Sequence, residues 1–79
     1  MVKILIAEDD ASLNRLVCGH LNAHGYEATG VPDGRAALEK METAHFDMLI
    51  SDIMMPVMDG FSLAETVRAA DKSMPILFL

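Results

Sequence analysis

The chain has 79 residues, 12 acidic and 6 basic side chains, a formal net charge of −6 and one cysteine. Domains typically run ~100–150 residues, so this is one small domain or part of one. The negative balance works against nucleic-acid binding, which needs a Lys/Arg surplus. No apolar run approaches the ~18 residues of a membrane helix. Cys18 alone can form no internal disulfide, in keeping with a cytoplasmic setting.

Val2–Ala7 (VKILIA) is a short, nearly continuous apolar run and reads as a buried strand. Glu8-Asp9-Asp10 ends it. Ser12–His24 has helical spacing, with Leu13, Leu16, Val17 and Leu21 on one stripe and Asn14 off it; Asp10 is the expected N-cap and Gly25 the expected left-handed stop. Tyr26–Val31 is a second, weaker strand. Pro32-Asp33-Gly34 turns into a helix over Arg35–Thr43 with Ala37, Leu38 and Met41 inward. Phe46–Ser51 is a third strand, closed by Asp52. Ile53–Val57 is a loop that Pro56 keeps from being helical. Asp59 caps a helix over Gly60–Ala70 with Phe61, Ala64 and Val67 inward, and Ile76–Leu79 begins a fourth strand after a short linker.

Alternating strands and helices with short links predict an α/β fold, a doubly wound parallel sheet. Right-handed crossovers favour the flavodoxin-like order 2-1-3-4. Strands 1 and 3 are then neighbours, ~4.8 Å apart, with a crevice at their carboxyl ends. Glu8, Asp9, Asp10 and Asp52 all reach it. Crowded carboxylates raise one another's pKa unless a cation compensates, and Mg²⁺ suits a few carboxylates plus waters and a phosphate. An ionised carboxylate beside such a metal can attack phosphorus, and a rigid strand end facing the crevice makes Asp52 the expected nucleophile.

ILIAEDD (Ile4–Asp10), LISDIMMPVMDG (Leu49–Gly60) and PILFL (Pro75–Leu79) resemble the receiver domain of two-component response regulators. The specific combination is an acid pair after strand 1, D-x-x-x-P-x-x-D-G after strand 3, then a proline and an apolar run. The resemblance implies that Asp52 accepts a phosphoryl group from a sensor histidine kinase, which docks near the first helix. It implies Asp9 as a direct Mg²⁺ ligand, Glu8 as an acid acting through water, and Met54 as the donor of a backbone carbonyl to the metal. Pro56 and Asp59-Gly60 match the loop that shapes the site. Residues 1–79 then form a partial receiver domain, without the fifth strand and the fourth and fifth helices, or the hydroxyl, lysine and aromatic residues that the family uses to stabilise and report phosphorylation. Impaired phosphorylation of the 79-residue chain follows as an expectation. The further expectation is either self-association, through the strand 4 edge or through a sheet face left bare, or a larger parent of which this chain is a piece.

Other functions fit less well. An aspartate-nucleophile phosphatase normally carries a second acid two residues past the nucleophile, where this chain has Met54. An FMN binder needs a hydroxyl- and glycine-rich phosphate loop where three acids stand here. The expectation is therefore a signalling module and not an enzyme, with a phosphorylation-independent interaction module as the alternative. His20 and His24 have a metal-compatible i, i+4 spacing but no third ligand, and read as structural or solvated. Cys18 reads as a small buried apolar residue, and the methionines, including Met54, Met55 and Met58, as packing.

Overall fold

The computed structural model describes all residues, 1–79. The elements in chain order are β1 (Lys3–Ala7), α1 (Ala11–Ala23), β2 (Glu27–Val31), α2 (Gly34–Thr43), β3 (Met48–Ser51), α3 (Gly60–Ala70) and β4 (Ile76–Phe78). The strands form one parallel sheet in the predicted order, β2-β1-β3-β4. The register places Ala7 beside both Val31 and Ser51, so three strands end at one level.

Each helix begins on an aspartate. Asp10 Oδ1 accepts the N–H groups of Ser12 and Leu13, Asp33 Oδ1 that of Ala36, and Asp59 Oδ1 that of Ser62. A cap of this kind satisfies orphan N–H groups and is worth ~1 kcal/mol. Gly25, at φ +88°, stops α1 as its left-handed residue. After α3, the Arg68 guanidinium donates to the carbonyls of Asp71, Lys72 and Met74, which folds the linker back under the helix.

Alternation along the strands divides the core. Leu5, Ala7 and Leu49 point to one face and pack with Ala37 of α2, Leu63 and Val67 of α3, Phe46 and Met74. Ile4, Ile6 and Ile50 point to the other, against Val17, Cys18 and Leu21 of α1. Four expectations need correction. Leu13 and Leu16 are exposed, Leu16 by 69%, and the packed stripe of α1 runs through Asn14, Val17, Cys18 and Leu21, because the Asn14 side chain is bonded down onto the sheet. Phe61 is also outside, meeting Phe78 edge-on at 5.3 Å, while Leu63 takes the inward place on the 60–63–67 stripe. Met54 is solvent-exposed, although Met55 and Met58 do pack on the core. Finally, the face expected to be bare is covered on β1 and β3, and only Leu77 and Leu79 at the β4 side are half-exposed.

Candidate metal and phosphoryl site

The strand ladder continues one residue past the strand ends and carries two of the acids with it. Glu8 N–H donates to Val31 O at 3.1 Å, and Asp52 N–H donates to Ala7 O at 3.0 Å. Glu8 and Asp52 therefore sit at the same level on adjacent strands, and Asp9 follows where the chain leaves the sheet. One carboxylate oxygen from each of Glu8, Asp9 and Asp52 lies within 4.8 Å of the others. None of the three makes an ion pair with a lysine, arginine or histidine.

The electrostatics follow from that crowding. Glu8 is buried, 3% exposed, and its Oε2 accepts the Asp10 N–H at 3.0 Å. Loss of hydration pushes its pKa above the ordinary 4.5; a hydrogen bond shared with Asp9 and the charges of Asp52 and Asp9 push the same way, and the Asp10 N–H opposes them. Asp52 is half-buried and Asp9 exposed, so the cluster opens to solvent on one side. Asp10 stands apart, its carboxylate engaged in capping α1. The donor set is all oxygen and uncompensated, which fits a hard divalent cation of the Mg²⁺ type.

The β3–α3 loop forms the second wall. Met54 exposes its side chain, and no N–H or side chain donates to its carbonyl. Gly60 N–H donates to Ile53 O at 2.8 Å, and the Gly60 backbone comes so close to the Asp52 carbonyl that a Cβ has no room. Between them, Met58 N–H donates to Pro56 O at 2.8 Å, a turn that sets Val57 at φ +71°. A β-branched residue is a genuine outlier in that region, so the loop beside Asp52 stores strain. Ile53, Met54, Met55, Asp59 and Phe61 line a shallow depression of about 490 Å³ there. A second concavity, about 460 Å³, lies between the C-terminal turns of α2 and α3 at the opposite end of the sheet, on Leu38, Met41, Val67 and Met74.

Two polar residues escaped the sequence reading. Ser51 is fully buried, and its hydroxyl donates to the Asp52 carbonyl at 2.9 Å; a lone hydroxyl in an apolar strand was its signal. Asn14 lies off the apolar stripe of α1 by its spacing, yet its amide reaches the ends of β1 and β2. The two α1 histidines are exposed, with rings 4.3 Å apart and His24 Nδ1 2.9 Å from the His20 carbonyl. Cys18 is half-buried, which pushes its thiol pKa up.

The sequence profile described as "Response regulator receiver domain" matches residues 4–79. The chain belongs to that family. The receiver chain is 44% identical over 78 residues to the transcriptional regulatory protein RprY of Bacteroides fragilis, covering 99% of itself and 33% of RprY. Its fold superposes on chemotaxis protein CheY4 of Vibrio cholerae with a TM-score of 0.95 at 42% identity, covering 99% of this chain and 67% of that one. The response regulator TrrA of Thermotoga maritima, solved in complex with Mg²⁺–BeF, gives a TM-score of 0.91 at 32% identity over 96% of this chain and 66% of that one. In a structure of the histidine kinase ThkA in complex with TrrA, the values are 0.92 and 31%, over 99% of this chain and 67% of that one. The receiver chain thus spans about a third of the length of RprY. No helix in it is long and apolar enough to cross a membrane.

Proposed function

We propose that the chain is a phosphoacceptor module of a two-component system, in which Asp52 receives a phosphoryl group from a sensor histidine kinase at a Mg²⁺ site. The observation that carries this reading is the convergence of the Glu8, Asp9 and Asp52 oxygens within 4.8 Å, with no basic partner. Asp9 and Asp52 would hold the metal directly, Glu8 through water, and the free Met54 carbonyl would complete the protein's share. When bound, the cation supplies charge neutralisation around the incoming phosphoryl oxygens.

The remaining chemistry belongs to the chain. An Asp52 carboxylate oxygen forms a bond to phosphorus as the bond from phosphorus to the donor's imidazole nitrogen breaks. The leaving imidazole keeps the electron pair and takes a proton from solvent. Asp52 is supported for this by its N–H bond to Ala7 and by the Ser51 hydroxyl on its carbonyl, which fix its backbone before the donor arrives. The carboxylate is spent once per signal, so the module reports a state and does not turn over substrate as an enzyme does. A kinase as phosphodonor is supported by the likeness to TrrA, which was solved with ThkA. A cytoplasmic location agrees with that partner.

The experiment is incubation with a small-molecule phosphoramidate and Mg²⁺, followed by intact-mass measurement. One phosphoryl group should add to the wild-type chain and none to Asp52→Asn. Uptake by the 79-residue polypeptide should be slower than by a full-length receiver. No uptake at all, with the fold intact, would leave the phosphorylation-independent interaction module as the reading. In that same polypeptide β4 is hydrogen-bonded only to β3 and presents an open edge. Self-association through this edge is the expected result of sedimentation at high concentration.

A further inference from the structure

We infer that Asn14 is a positioning residue for the acid cluster, and that Gly30 provides the space it needs. This rests on the reading of Glu8 and Asp9 as Mg²⁺ ligands. The Asn14 Nδ2 has two N–H groups, and both are used: one donates to Glu8 O and the other to Val31 O, each at 3.0 Å. Val31 O also accepts the Glu8 N–H at 3.1 Å. The Glu8 residue is therefore gripped at both of its backbone polar groups. Its carboxylate is held in turn by the Asp10 N–H, and the Asp10 carboxylate caps α1, the helix that carries Asn14. The circuit closes on itself, and it fixes the Glu8–Asp9 peptide from which both carboxylates are aimed.

The opposite side of the amide explains a glycine. Asn14 Oδ1 accepts the Cys18 thiol at 3.4 Å and lies directly over Gly30 in β2. A Cβ on Gly30 would overlap that oxygen and would come to 3.1 Å from the Cys18 Sγ. Asparagine is a weak helix former, and glycine weakens a strand interior unless something must approach closely. One device accounts for both choices: the amide needs its place against the strand ends, and the strand gives way to it. The Asn14 amide nitrogen is spent on the Glu8 and Val31 carbonyls and its oxygen faces Cys18 and Gly30, so its effect passes through the backbone of Glu8.

The test is a cycle of Asn14→Ala, Gly30→Ala and the double variant. Mg²⁺ affinity is measured by calorimetry, and thermal stability separately in chelator. Loss of a group that orients a metal ligand typically weakens binding roughly 10- to 100-fold. Asn14→Ala should show a loss of that size, Gly30→Ala a comparable one, and the double variant no more than Asn14→Ala alone, because the Gly30 effect passes through Asn14. Wild-type Mg²⁺ affinity in Asn14→Ala, even with a lowered melting temperature, would overturn the inference and leave the metal reading standing. Strictly additive losses would overturn the role of Gly30. If Asn14→Ala does not fold, Gly30→Ala, which leaves the Asn14 chemistry intact, decides by the same readout. A wild-type chain that binds no Mg²⁺ would remove the metal reading and this inference together.

Discussion

The two faces of the sheet are built from similar strand residues and covered very differently. On one, α2 and α3 bury Ala37, Leu63 and Val67 against Leu5, Ala7 and Leu49. On the other, Ile4, Ile6 and Ile50 are as deeply buried, yet α1 has no buried residue of its own and turns Leu13 and Leu16 to solvent. A strand can thus be fully covered by a helix that is itself only half-covered. The first face holds through interlocking apolar side chains. The second holds through a few half-buried contacts and one polar clamp at its acidic end.

Two measurements press on that contrast. Leu63→Ala should cost about 2–5 kcal/mol in urea unfolding, the range for emptying a packed site. Leu16→Ser, on the opposite side, should change stability by no more than about 0.5 kcal/mol. A cost for Leu16 near that of Leu63 would break the comparison, since it would mean that Leu16 is covered in solution.

The acidic end, where both faces terminate, should respond to metal and pH. Saturating Mg²⁺ should raise stability at neutral pH, by about 2.7 kcal/mol at a hundred times its dissociation constant, and Asp9→Asn should abolish the gain. Without metal, the raised Glu8 pKa sets the sign. The folded state binds the Glu8 proton more tightly than the unfolded chain, so stability should rise as pH falls from neutral toward 4.5.

Two smaller effects sharpen the picture away from the core. Val57→Gly should stabilise the fold by about 1 kcal/mol by relieving the positive φ beside Asp52, less the added freedom of glycine in the unfolded chain. The smallest shift belongs to Asp47. Its pKa is lowered mainly by the Lys3 N–H, which donates to it at 2.8 Å, and then by His45. A lowered carboxylate stabilises above its unfolded value of 3.8 and loses that contribution as pH falls through the folded value. Asp47→Asn should therefore lower the melting temperature slightly at neutral pH, and the gap should close in strong acid.

The strand order, the Asp10 and Asp59 caps and the meeting of Glu8, Asp9 and Asp52 could be read from the sequence because each follows from local rules: apolar period, cap chemistry and crossover hand. The site's metal and phosphoryl roles rest on the proposal above. The rotation of α1 could not be read. Leu13 and Leu16 look inward by apolar spacing, but the helix is turned by where the Asn14 amide finds carbonyls, and those belong to strands distant in sequence. Phe61 misled for a related reason. A large aromatic was given the core, when the register of α3 after Gly60 hands that place to Leu63 and leaves Phe61 for Phe78.

Glu8 and Asp52 are anchored by ladder hydrogen bonds, while Asp9 is not. In deuterated solvent the first two amides should remain protonated about as long as those of Leu5 and Leu49, and the Asp9 amide should exchange early. Thermal breathing of the surrounding turns would then leave two of the three carboxylates in place, and only separation of the central strands would disperse them.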